Sequence, residues 1–247
     1  SQRPEQGGFT IVELMIALVV LATLLITATV VLIHLGNLFS KGTNEAHTQN
    51  ATRNLMSELI GQIKLGNNDP TLIQPAAPVT NASATDGWTT SGLGVLCIGD
   101  QRYTYVLNSE LNSEDTVNAV GNVRHILWRD KTAAGGSCSP ASDNVADFES
   151  AATPSSNGTE ILPSHARLVA LGITPTGTDG TYIVTLTIAY GDGDLITYSP
   201  YGSSPAPPAD PPPPYDSSNA TVKCNGGTGD PYCAAASLTG IATQRVQ

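Results

Sequence analysis

From Phe9 to Ile33 the chain carries a single ionisable side chain, Glu13, and neither proline nor glycine. At about 1.5 Å per residue, such a run makes a helix long enough to cross the roughly 30 Å hydrocarbon core of a bilayer. A carboxylate inside such a run is the anomaly. At the bilayer centre a charge costs about 2.5–3.5 kcal/mol even on the lenient insertion scale, which makes an intramembrane charge a functional candidate. Glu13 lies only four residues after Phe9, so the plain reading is an edge charge that reaches the headgroups. The functional reading draws on its surroundings: a short polar segment with Arg3, then Gly8-Phe9, then the carboxylate, then unbroken apolar helix.

The residues Gly8-Phe9-Thr10-Ile11-Val12-Glu13-Leu14-Met15-Ile16 resemble the N-terminal processing motif of type IV pilins and pseudopilins. The resemblance is strong over residues 7–35 and weaker to Leu65, and beyond that it implies only a β-rich head. It implies that a prepilin peptidase cuts between Gly8 and Phe9, that the new N-terminal Phe9 is methylated, and that Glu13 pairs with the N-terminal amine of a neighbouring subunit during assembly. A buried charge kept for such a partner fixes register more than it adds stability. The partners implied are identical or related pilin subunits, the peptidase, the inner-membrane assembly machinery, and a host-cell or surface ligand for the head. The implied location is the cytoplasmic membrane before assembly and an extracellular filament after it. Major pilins often carry a proline within the apolar segment; its absence here favours a minor pilin or a pseudopilin.

Residues 1–8 thus read as a leader and 9–35 as a membrane and filament-core helix. The apolar run is longer than the core of a secretory signal, and the implied cut lies before it. Residues 36–65 continue the helix in amphipathic form, with Leu55, Met56, Leu59, Ile60 and Ile63 on one stripe and Arg53, Asn54, Ser57, Glu58 and Gln62 facing outward. Gly36 and Gly42 permit a bend without requiring one, and Gly66-Asn67-Asn68-Asp69-Pro70 ends the helix.

Residues 66–200 read as a β-rich head, giving an α+β, pilin-like fold in which the long helix packs on one antiparallel sheet of four to six strands. Thr71–Gly94 reads as an irregular connection. Val95–Ile98 and Tyr103–Leu107 form a hairpin across Gly99–Arg102, Val123–Arg129 is a strand, Ala133–Pro163 is a long loop, and Ala166–Ile173 is a strand. Tyr182–Tyr190 alternates most clearly, with Tyr182, Val184, Leu186, Ile188 and Tyr190 on one face, and Gly191–Asp194 turns it back into Leu195–Tyr198. Residues 201–216 are a proline-rich spacer, which lacks the donors a sheet needs. Residues 217–247 form a C-terminal segment stapled by a disulfide.

Four cysteines, Cys97, Cys138, Cys224 and Cys233, follow the membrane segment. An extracytoplasmic head permits disulfides, and four cysteines allow three pairings. The glycine-rich turn between Cys224 and Cys233 suits a local staple, which would leave Cys97 for Cys138; the connectivity stays open at this stage. No zinc-type Cys or His spacing is present, so no metal or other cofactor is expected. Asp192 and Asp194 are weak calcium candidates, since too few oxygen ligands lie near them in sequence and aspartate and glycine are ordinary turn residues.

Catalysis has little support. His34, His47, His125 and His165 sit in no catalytic pattern, and neither a nucleophile elbow nor a phosphate-binding glycine loop occurs. The net charge of −10 opposes nucleic-acid binding, and the basic candidates Arg124, Arg129 and Lys131 straddle Asp130. Two classes remain: a filament subunit displaying its head for attachment or motility, with a secretion or DNA-uptake pseudopilin as the variant, and a non-polymerising single-span protein with a binding head. Only the first accounts for Gly8-Phe9 and Glu13 occurring together.

Overall fold

A computed structural model describes residues 10–76, 79–80, 88–89, 92–111, 122–132, 136–142, 144–149, 154–178, 180–200, 217–225 and 232–245. One helix, α1 (Ile11–Leu65), dominates it. Its 55 residues span about 80 Å. Helical structure passes through Gly36 and Gly42 without interruption and ends where Gly66 N–H donates to the Gln62 carbonyl.

The apolar half is fully exposed, whereas the second half buries Thr48, Thr52, Leu55, Met56, Leu59 and Ile63. That spacing is one face of a helix. Two threonines extend the stripe beyond its apolar residues because their hydroxyls are satisfied internally: Thr48 donates to Asn44 O at 2.8 Å and Thr52 to Thr48 O at 2.7 Å. Backbone-bonded hydroxyls can be buried at little cost.

The strands that follow are β1 (Thr71–Ile73), β2 (Val79–Thr80), β3 (Trp88–Thr89), β4 (Gly94–Ile98), β5 (Gln101–Tyr105), β6 (Glu110–Leu111), β7 (Asn122–Val123) and β8 (Leu127–Lys131). After a short helix, α2 (Ala146–Glu149), come β9 (Thr159–Glu160), β10 (Ala166–Pro175), β11 (Thr181–Tyr190), β12 (Ile196–Ser199), β13 (Thr221–Cys224) and β14 (Ala234–Thr243). The architecture is α+β, a long N-terminal helix packed on a head of antiparallel sheets; among the described residues only the two-residue β6–β7 pair is parallel.

The strands do not form one sheet. A five-stranded sheet runs β1-β4-β5-β8-β9 and a three-stranded sheet runs β10-β11-β14. Both feed one core, in which Leu55, Leu59 and Ile63 of α1 meet Leu96, Tyr103 and Tyr105 from the first sheet and Leu168, Val184, Leu186 and Ile188 from the second. A bulge in β10 between Leu168 and Ala170 breaks the alternation, so that two consecutive residues share one side of the strand. Leu168 and Leu171 point into the main core, while Val169 and Ala170 point to a second cluster with Ile196, Tyr198, Ala220 and Cys233.

Several expectations are corrected. Thr71–Ile73 is an edge strand paired with Val95–Cys97, not irregular chain. The first hairpin turns on Gly99-Asp100 alone, Gly99 having φ +61°, and Gln101 and Arg102 already belong to β5. The strand expected at Val123–Arg129 starts later, at Leu127, and the long loop after it contains α2 and β9.

Leu195–Tyr198 does not fold back onto Tyr182–Tyr190, because β10 and β14 occupy both edges of β11. The chain instead makes a 3-10 turn at Gly193–Leu195, and β12 pairs with β13. Finally, Glu58 does not face solvent: it accepts from Arg129 Nη1 at 2.7 Å and from the Tyr103 hydroxyl at 2.9 Å, bonding α1 to the first sheet. The leader, Gly8, Phe9 and the proline-rich spacer 201–216 lie outside the described residues.

Candidate functional site

Glu13 is the third residue of α1 and forms a capping box with Thr10. Glu13 N–H donates to Thr10 Oγ1 at 3.2 Å, while Thr10 N–H and its hydroxyl both donate to Glu13 Oε2 at 3.1 Å. The signal for it in the sequence is Thr10-Ile11-Val12-Glu13, a Ser/Thr-x-x-Glu pattern ahead of an apolar run, which the motif and composition arguments above do not use. The box satisfies helix N–H groups that would otherwise be orphaned and places a negative charge at the positive end of the helix dipole.

Beyond this cap the helix is apolar on every side. Ile11 is 79% exposed and Ile26 65% exposed, and none of the most apolar window is buried by the rest of the chain. Covering a large apolar side chain is worth about 1.5–3 kcal/mol, so the whole stretch exceeds the 5–15 kcal/mol stability of an ordinary domain. The stretch is long and apolar enough to cross a membrane. Its hydroxyls suit such a medium: Thr23 donates to Val20 O at 2.9 Å, Thr27 to Leu24 O at 2.9 Å and Thr29 to Leu25 O at 2.8 Å. Each polar group closes on its own helix, as a low-dielectric environment demands.

In the head, Cys97 is bonded to Cys138 and Cys224 to Cys233, with Cα–Cα separations of 5.9 and 5.7 Å. The first bond fastens the 136–142 segment to β4. Nearby, Ala141 N–H donates to Thr104 Oγ1 at 2.8 Å and Arg102 Nη1 to Ser139 O at 3.2 Å. The second links the end of β13 to the start of β14, the strand against α1.

Two of the three basic candidates are engaged with acids: Arg129 with Glu58, and Lys131 with Asp100 at 3.3 Å. Arg102, opposite Asp130 in the β5–β8 register, grips that carboxylate through Nε at 2.7 Å and Nη2 at 2.5 Å. The calcium candidates separate. Asp192 approaches His165 and Glu110, while Asp194 stands outside that group.

Residues 3–29 match the family model described as the prokaryotic N-terminal methylation motif. No curated protein and no solved structure matches the chain. The N-terminal stretch, with Glu13 inside it, is thus the prepilin motif shared by type IV pilins and pseudopilins.

Proposed function

We propose that the chain is a structural subunit of an extracellular type IV pilus-like filament, assembling through α1 and presenting the β-rich head for surface attachment or motility. The observation that carries this reading is the uncovered apolar helix, which begins inside the matched motif and runs on past it. Glu13 fits the assembly role because, among the described residues, the hydrogen bonds its side chain accepts fall on Oε2. Oε1 is then the oxygen available to the amine of an adjacent Phe9. In this reading the prepilin peptidase cuts between Gly8 and Phe9, Phe9 is methylated, and the inner-membrane machinery lifts the subunit from the cytoplasmic membrane into the filament.

The proposal is tested by Glu13→Gln in the native cell. The variant keeps a hydrogen-bonding side chain at the helix start but loses the charge. It is expected to reach the membrane at the wild-type level while its share in sheared filaments falls at least tenfold. Equal incorporation of the variant would contradict the assembly role. A wild-type chain found in a secretion pseudopilus and absent from surface filaments would replace the pilus reading with the pseudopilin one.

A further inference from the structure

The geometry points to a binding site for one divalent transition-metal ion, formed by Glu110, His165 and Asp192 at the end of the head beside Asn44 of α1. The three residues come from β6, the turn before β10 and the turn after β11. His165 Nδ1 lies 3.0 Å from Glu110 Oε1 and 3.9 Å from Asp192 Oδ1, and the three donor atoms lie within 4.8 Å of one another. Such spacing suits adjacent ligands converging on one ion at bonds of about 2.0–2.2 Å after a small closure.

The backbone brings the donors together. His165 adopts φ +60°. Its N–H donates to Leu111 O at 2.8 Å, next to Glu110, and its carbonyl accepts from Gly191 N–H at 3.1 Å, next to Asp192. His165 thus holds both carboxylate-bearing segments within reach of its own ring.

The donors are also oriented. Glu110 is buried, and Arg167 Nη2 donates to its Oε2 at 3.1 Å, leaving Oε1 facing His165. Arg167 is itself fixed by bonds to Asn108 O at 3.0 Å and Gly191 O at 3.4 Å. An outer hydrogen bond that aims a ligand carboxylate is the usual support of a metal site.

The charges suit a dication. Glu110, Asp192 and Asp194, which lines the same cavity, carry negative charge, and Arg167 pairs with Glu110 alone of the three. A cavity of about 460 Å³ borders His165, Asp192 and Asp194 and has room for water ligands to complete the shell. One imidazole with two carboxylates favours zinc, manganese or iron over calcium, whose ligands are oxygens. None of this depends on the filament reading.

The test is calorimetric titration of the chelator-treated full chain in detergent micelles with zinc chloride, paired with zinc X-ray absorption. The expected result is one ion per chain in a nitrogen/oxygen shell containing a single imidazole. Binding should weaken at least tenfold in both His165→Asn and Asp192→Asn. Asparagine tolerates the left-handed backbone at position 165, and Asp192 is exposed, so either variant can decide the matter if the other fails to melt cooperatively. Absence of zinc binding overturns the proposal. So does binding that survives both substitutions, or binding of calcium with zinc inert.

Discussion

Glu58 shows how one polar residue can fix the relation of stalk and head. It stands on α1 within the stripe that otherwise buries Leu55, Leu59 and Ile63, and it satisfies both the Tyr103 hydroxyl and Arg129. Glu58→Ala leaves a buried phenol without its acceptor, and the expected loss is about 1–3 kcal/mol in urea denaturation followed by near-ultraviolet circular dichroism. The exposed part of the Arg129 pair adds little to that figure.

Tyr103 also gives a pH prediction. Burial pushes its phenol up from the ordinary value of 10.0, and the Glu58 charge pushes it further. Above that ordinary value the unfolded chain releases the proton and the folded chain keeps it, so stability falls as pH rises. This group contributes at most about 1.4 kcal/mol per pH unit. Tyr103→Phe should flatten the alkaline limb of a stability curve measured between about pH 9 and 12. Tyr182, held up to about 12 by its hydrogen bond to Asp69, remains in both proteins and supplies the residual slope.

Among elements, the two disulfides differ in what they close. Their sequence separations are 41 and 9 residues. The chain-entropy model assigns about 4 kcal/mol to the longer loop and about 2.5 kcal/mol to the shorter. Replacing Cys97 and Cys138 by alanine should therefore lower the melting midpoint more than replacing Cys224 and Cys233. The opposite order would mean that anchoring the start of β14 beneath α1 matters more than loop closure.

The helix and β11 were legible because their periodicities, 3.6 and 2, run over many large apolar residues. β14 was not. Ala234–Thr243 is mostly alanine, serine, threonine and glycine, with too little apolar alternation to mark a strand, yet it lies between β11 and solvent with α1 across it. Gly240 shows why small residues belong there: a Cβ at that position would come within 2.7 Å of Ile60 Cδ1. The turn after Tyr190 is a related case. Its sequence suits a hairpin, which is forbidden because β10 takes one edge of β11 and the distant β14 takes the other. The Glu110–His165–Asp192 cluster joins residues 55 and 27 positions apart, a proximity that no local spacing announces.

At the scale of the molecule the chain has two surfaces with opposite needs. The head covers its own core and closes its cysteines, while the first half of α1 leaves its apolar side chains uncovered and begins with a self-capping Thr10–Glu13 box. An acidic head with a net charge of −10 over the whole chain suits display in water, and the bare helix suits lipid and then other helices. The prepilin motif lies at residues 3–29, and under the function proposed above proteolysis frees Phe9 and assembly covers the helix. The most direct test is the intact mass and N-terminal peptide of the chain recovered from sheared surface filaments of the native cell. The account predicts a chain beginning at Phe9 with one added methyl group. A membrane-bound chain retaining Gly8 in cells with an active peptidase, and missing from the filaments, would contradict it.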